Sequence, residues 1–188
     1  MAQTSHMVPL GTQLPDLTLP DLDGNPVNLH QLRADGALLI VFAANHCPYV
    51  VHVESALGSL VDEFAGQPLA VAAISSNDID TYPEDDIPGI RDQQARAGWH
   101  FPYLVDSDQH AALTFRAACT PDFFLFSQDG TLAYRGALDD SSPGNGRALT
   151  GELLRRAIQD TLAGVPVPEP HRPAMGCSIK WKPENEPQ

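Results

Sequence analysis

Residues 41–57, VFAANHCPYVVHVESAL, set a cysteine where an apolar run ends and a helical pattern begins. The thiolate is cysteine's reactive form, and it forms most readily where positive potential is at hand. The first turn of a helix supplies that potential through unpaired N–H groups and the helix dipole. Cys47 stands directly before Pro48, which suits a first helical turn because its missing N–H is no loss there. The expectation is a reactive Cys47 whose sulfur lies over those donors. The competing reading is an inert cysteine that fills space in the core. His46 either adds charge beside the thiol or points to solvent. The fourth residue of Cys47-Pro48-Tyr49-Val50 is valine, so no disulfide closes within the motif. An oxidised Cys47 can then be released only by another thiol.

The elements that would position Cys47 are legible in the pattern of apolar residues. ALLIVFAA (37–44) is a short continuous apolar run, as expected of a strand buried on both faces. From 48 to 64 the period turns helical: Val50, Val53, Leu57, Leu60, Val61 and Phe64 share one face. LAVAAISS (69–76) reads as a second buried strand, and NDIDTYPEDDIP (77–88) as an acidic, solvated loop at the rim of the site. A helix over GIRDQQARAGW, a strand at FPYLVD and a short helix at QHAALTFRA follow. DFFLFSQDGTLAYRG alternates around Asp129-Gly130 and predicts an antiparallel hairpin. TGELLRRAIQDTLAG predicts a last helix with Thr150 as N-cap, ending at Gly164. Residues 8–35 are short extended pieces with a turn at Asp23-Gly24-Asn25. The fold class is α/β with a mixed central sheet flanked by helices. Residues 1–164 form one domain with an N-terminal extension. Residues 165–188 form a Pro-rich tail that wraps the domain or is partly disordered.

Composition narrows the function. The 188 residues carry 24 acidic and 11 basic side chains, a balance that argues against nucleic acid and against anionic membranes. No apolar run approaches the ~18 residues of a membrane-spanning helix. The first residues carry neither a charged nor an apolar signal region, so a cytoplasmic setting is expected. In that reducing setting three cysteines point to thiol chemistry or burial rather than to a structural disulfide framework.

A buried strand leading into Cys-Pro-Tyr at a helix start, with Thr120-Pro121 just before the hairpin, resembles the thioredoxin-like superfamily. The resemblance implies a thioredoxin-like fold in which a cis-proline loop at Thr120-Pro121 faces Cys47. Pro48, Tyr49, Thr120 and Pro121 would then contact substrate. LGTQLPDLTLPDLDGNPVNLHQL, NHCPYVVHV, SSND, FPYLVD, CTPDFFLF, YRGALDDS and GCSIKWK are similar to a peroxiredoxin-like group of the alkyl hydroperoxide reductase/thiol-specific antioxidant branch. Typical peroxiredoxins carry Pro-x-x-x-Thr-x-x-Cys, but Ile40 and Ala44 occupy the first two of those places here. Their activating arginine would fall near Pro121. The peroxidase constellation is not reproduced.

This resemblance puts Cys119, two residues before Pro121, on the active-site side, either as a resolving thiol or as a packing residue. Cys177, in MGCSIKWK, could reach Cys47 through slack in the Pro-rich tail, and it is slightly favoured as the partner. Asp122 is a hydrogen-bonded loop residue or a proton carrier for Cys47. His46, Cys47 and His52 invite a metal reading, but His52 lies off the Cys47 face of the helix and zinc-type spacing is missing. His52 is expected at the surface, Tyr49 and Trp99 in core or rim positions, and Trp181 as an anchor for the tail. The expected function is a thiol-dependent oxidoreductase, needing no cofactor or metal. It would act on a disulfide or peroxide and be reset by an external thiol. A non-catalytic binding module using the same groove is the second reading, and a Cys/His metal protein the third.

Overall fold

Every residue of the apolar run from Ala37 to Phe42 is buried, because its strand is paired on both edges and covered on both faces. The computed structural model describes residues 2–187. In chain order the elements are β1 (Ala2–Thr4), β2 (Thr18–Pro20), β3 (Pro26–Asn28), α1 (Leu29–Arg33), β4 (Ala37–Phe42), α2 (Pro48–Asp62) and β5 (Leu69–Ser75). After a 3-10 turn at Pro83–Asp85 come α3 (Ile87–Ala97), β6 (Tyr103–Val105), α4 (His110–Phe115), β7 (Cys119–Thr120) and β8 (Asp122–Phe126). The chain finishes with β9 (Leu132–Gly136), α5 (Glu152–Leu162) and β10 (Met175–Ser178).

The main sheet runs β6-β5-β4-β8-β9, parallel across the first three strands and antiparallel across the last three. Successive side chains of β4 alternate between two cores. Leu39 and Val41 face α2, α3 and α5 through Val53, Leu57, Ile90, Leu154 and Ile158. Leu38, Ile40 and Phe42 face the other side, against Leu29 of α1 and Ala111 and Phe115 of α4. The predicted strand–helix–strand unit and the hairpin are both present, and the architecture is the mixed α/β sandwich expected of a thioredoxin-like fold.

Several details differ from the sequence reading for local reasons. Helix α3 starts at Ile87, two residues early, because the Asp86 carboxylate accepts the Gly89 N–H at 2.9 Å and caps it. Helix α5 has Gly151, not Thr150, at its N-cap, at φ +66°. The buried Asp139 carboxylate sets this start by accepting the N–H groups of Thr150 (2.6 Å) and Gly151 (2.7 Å). The short α1, unpredicted, is nucleated by Asn28, whose side-chain oxygen accepts from His30 and Gln31. The tail after 165 contributes β10, the middle strand of a second sheet ordered β1-β10-β7.

Candidate functional site

Cys47 is the N-cap residue of α2, as its position before Pro48 predicts. Its side chain, however, makes no capping bond to the helix amides. The S–H donates instead to the Thr120 carbonyl oxygen at 3.1 Å, a contact that requires the proton. Cys47 is 0 % exposed and packs within the apolar core on the α2 side of the sheet. The thiol expected over the helix donors is bonded to a loop carbonyl instead. The reason is a strand from the far end of the chain.

That strand is β10. It pairs antiparallel with β7, Cys177 opposite Thr120 and Ser178 opposite Cys119. Its other edge takes β1, with Ala2 opposite Cys177. The Thr120-Pro121 peptide bond is cis. Gly176 makes the approach possible: a Cβ there would overlap the carbonyl of Thr120, the group that accepts from Cys47. Directly opposed residues of an antiparallel pair share a face, so Cys177 sides with Thr120 and Cys119 turns the other way with Ser178.

The three thiols, all free, consequently sit in different environments. Cys177 is half-buried beside Cys47; burial first, then the neighbouring Cys47 thiol, pushes its pKa up to about 11, against the pull of the Lys180 ammonium. Cys119 is fully buried, with its sulfur 3.7 Å from the Pro121 carbonyl oxygen, and burial pushes its thiol far above the usual range. The structure thus brings Cys177 to Cys47, through a fixed strand rather than through slack, and leaves Cys119 in packing.

The acidic loop is largely exposed, as expected, but it is pinned by buried polar residues. Asp85 is 0 % exposed, and Asn77 and Asp78 are buried with it. Asp85 Oδ2 lies 2.7 Å from His46 Nδ1, its Oδ1 accepts the His46 N–H at 3.2 Å, and Asn77 Nδ2 donates to Oδ2 at 2.7 Å. His46 therefore faces a carboxylate, and its ring stacks on Tyr82, centroids 5.4 Å apart and planes 7° from parallel. Asn77 also holds the tail: its Oδ1 accepts the Lys180 N–H at 2.8 Å, while Lys180 Nζ sits 5.5 Å from the Tyr82 ring centre. Gln109, buried, adds a second clamp through Lys180 O (2.9 Å) and the Lys182 N–H (2.8 Å). Trp181 packs against the second core.

Pro48 begins α2 beneath this sheet, and Tyr49 and Pro121 line a cavity of about 20 Å³, room for one water molecule. His52, half-buried at the surface, meets Ser141 Oγ at 3.0 Å. Asp122 shares the face of Phe124 and Phe126, opposite the Phe123 face that packs with Cys47, and accepts the Ala118 N–H at 3.2 Å. It is a loop-holding carboxylate on the side of Cys119, turned away from Cys47. Trp99 is a core residue whose Nε1 donates to the Glu54 carbonyl at 2.8 Å. Among the described residues, no three His, Cys, Asp or Glu side chains converge as a metal site.

Asn77, Asp85, Gln109 and Gly176 escaped the sequence reading. One signal could have found the first: Asn77 and Asp78 follow the carboxyl end of β5 as His46 and Cys47 follow that of β4, the end where α/β sheets build their sites.

Helix α2 is braced against α3 by a two-point pair, Arg96 Nε to Glu54 Oε1 at 2.7 Å and Nη2 to Oε2 at 3.0 Å. Glu54 is 4 % exposed, so removing its partner strands a buried carboxylate. Arg96→Ala is expected to lower stability by about 1–2 kcal/mol, discounted for the half-exposed guanidinium. Urea unfolding checks this; an unchanged midpoint contradicts it.

Comparison with known proteins bears on both fold and family. A crystal structure of an uncharacterized conserved protein from Geobacillus kaustophilus is 45% identical, covers 97% of each chain and superposes with a TM-score of 0.93. A hypothetical protein from Sinorhizobium meliloti is 42% identical, with a TM-score of 0.92 over 96% of this chain and 98% of that one. A secreted disulfide oxidoreductase from Mycobacterium tuberculosis shares only 15% identity, with a TM-score of 0.60 over 77% of this chain and 95% of its own, a likeness of fold alone. No curated protein matches the chain. The model of the AhpC/TSA family matches residues 10–135, about two thirds of the sequence, from the first extended segment through the cysteine junction to the hairpin. On that match, and on the thioredoxin-like sheet with its helix-capping cysteine and proline loop, the chain belongs to the AhpC/TSA family.

Proposed function

We propose that this protein is a thiol-dependent oxidoreductase whose redox couple is Cys47 and Cys177. The single observation that carries the reading is the seating of the Cys177 strand on the Thr120-Pro121 loop, which makes the Cys177 and Cys47 thiols neighbours. The family match and the thioredoxin-like fold support it. With a disulfide R–S–S–R as oxidant, the two thiols give up their protons and two electrons, and two R–SH leave as Cys47 and Cys177 join. With a hydroperoxide, one thiolate attacks the terminal oxygen, the O–O bond breaks and an alcohol or water leaves. The second sulfur then displaces water from the sulfenic acid to close the same disulfide. An external thiol resets the pair. Valine at position 50 fits this arrangement, since the second sulfur is carried by the tail.

The test is peptide mapping under non-reducing conditions after one equivalent of hydrogen peroxide or of a small disulfide. A Cys47–Cys177 link is expected, and Cys47→Ser is expected to lower thiol-dependent turnover by on the order of a hundredfold or more. Full turnover by Cys47→Ser, or thiols that stay reduced in the wild type, would overturn the reading and leave a binding module in its place.

A further inference from the structure

Cys47 is wholly covered while Cys177, on the strand that covers it, is partly open to solvent. The cover is held at both ends. Before Cys177, Ser5 and Ala174 bond each other twice, Ser5 N–H to Ala174 O and Ala174 N–H to Ser5 Oγ, both at 2.9 Å. After it, the Ile179 N–H reaches Ala118 O at 3.3 Å, Lys180 is tied through both backbone groups to residues 77 and 78, and Lys182 is tied to Gln109. Among the described residues, an extended peptide has no free edge of β10 to add to beside Cys177. The edge of β7 is taken by β10, and the far edge of β10 by β1. Beside Pro121 the structure leaves space for one water molecule.

We propose that Cys177 is the sulfur that meets the outside partner, that Cys47 is the internal sulfur, and that the partner is a small thiol or small disulfide rather than an extended segment of another protein. This rests on the Cys47–Cys177 couple proposed above. It reverses the usual division of labour at a helix-capping cysteine, and the reason is access. A thiolate must reach one of the two sulfurs to break the bond, and of the two cysteines only Cys177 is partly open to solvent.

The reductive half then balances as follows. A small thiolate R–S⁻ bonds to the Cys177 sulfur, the Cys47–Cys177 bond breaks, and its electron pair goes to Cys47. That sulfur stands at the first turn of α2 and takes up a proton from solvent to restore its contact with Thr120 O. A second R–S⁻ attacks the R-side sulfur of the mixed disulfide and releases R–S–S–R, leaving Cys177 to be protonated. Two thiols are oxidised and one protein disulfide is reduced.

The experiment incubates reduced Cys47→Ser and Cys177→Ser proteins separately with glutathione disulfide and locates the adduct by mass mapping. Cys47→Ser is expected to be modified at Cys177 at least about tenfold faster than Cys177→Ser is modified at Cys47. Equal or faster modification of Cys47 overturns the proposal, as does failure of both variants to react. A mapping on wild type needs no variant: its oxidised form, given a limiting small thiol and quenched with an alkylating reagent, should carry the adduct on Cys177 and the alkyl group on Cys47. The reverse labelling refutes the assignment while leaving the redox couple standing. Absence of a Cys47–Cys177 link in the oxidised starting material refutes the couple itself.

Discussion

Gly176→Ala is expected to slow closure of the Cys47–Cys177 disulfide by on the order of a hundredfold, the effect of a misplacement near 1 Å in a reacting pair. The cause is steric and local. A methyl group at 176 would sit on the Thr120 carbonyl, which is backbone, fixed by the loop into Pro121 and already accepting from Cys47. Neither partner can rotate aside, so β10 must lift from β7 and carry Cys177 with it. Stability should fall by about 1–3 kcal/mol, as for other overpacked sites. Met175, the neighbouring residue of the same strand, is 49 % exposed, and Met175→Ala should change neither quantity much. Quenched-flow alkylation after a pulse of oxidant measures closure, and urea unfolding measures stability. Equal closure rates in Gly176→Ala and wild type would mean that β10 does not deliver Cys177 to Cys47.

The pH dependence of stability should be set in large part by Asp122. Burial pushes this carboxyl up to about 8, even though it accepts the backbone N–H of Ala118, and its Oδ1 has no partner. The native state therefore keeps the Asp122 proton up to a pH near 8, whereas the unfolded chain loses it near 3.8, the ordinary value of an aspartic acid. Between those values unfolding releases a proton, so the contribution of this group to stability is whole below the lower value. It declines as pH rises, and levels off above the higher one. The slope approaches about 1.4 kcal/mol per pH unit. Asp122→Asn removes the titration, so the gain over wild type should grow from pH 4.5 to pH 8, reaching on the order of a few kcal/mol. Urea midpoints of both proteins at the two pH values decide it, and parallel profiles would sink it. Because Asp122 faces away from Cys47, closure of the Cys47–Cys177 bond should be little changed in this variant.

Much of the fold was legible because its determinants are near one another in the chain. The all-apolar run of β4, the three- and four-residue steps of α2 and the alternation around Asp129-Gly130 each declare their own element. The helix start at Pro48 followed from that residue and the apolar period after it, and so did the N-cap place of Cys47. Cap details were less legible. Whether Thr150 or Gly151 begins α5 depends on Asp139, more than ten residues away, and no local pattern contains that carboxylate.

The candidate site divides in the same way. The sequence by itself determined that a cysteine would end a buried strand and cap a helix, that valine would deny it a partner in its own motif, and that a proline loop lay before the hairpin. Only the tertiary structure decided what that cysteine faces. Cys177 reaches it across 130 positions because β7 offers an unpaired edge and Gly176 has no side chain to hold the strands apart, and neither fact is a periodicity. Asp85 looked like one carboxylate of a wet loop. It is buried because His46 and Asn77, from the ends of two other strands, supply the hydrogen bonds that water would otherwise make. Backbone edges and paired polar groups act between segments distant in sequence, so their outcome is settled by packing and not by pattern.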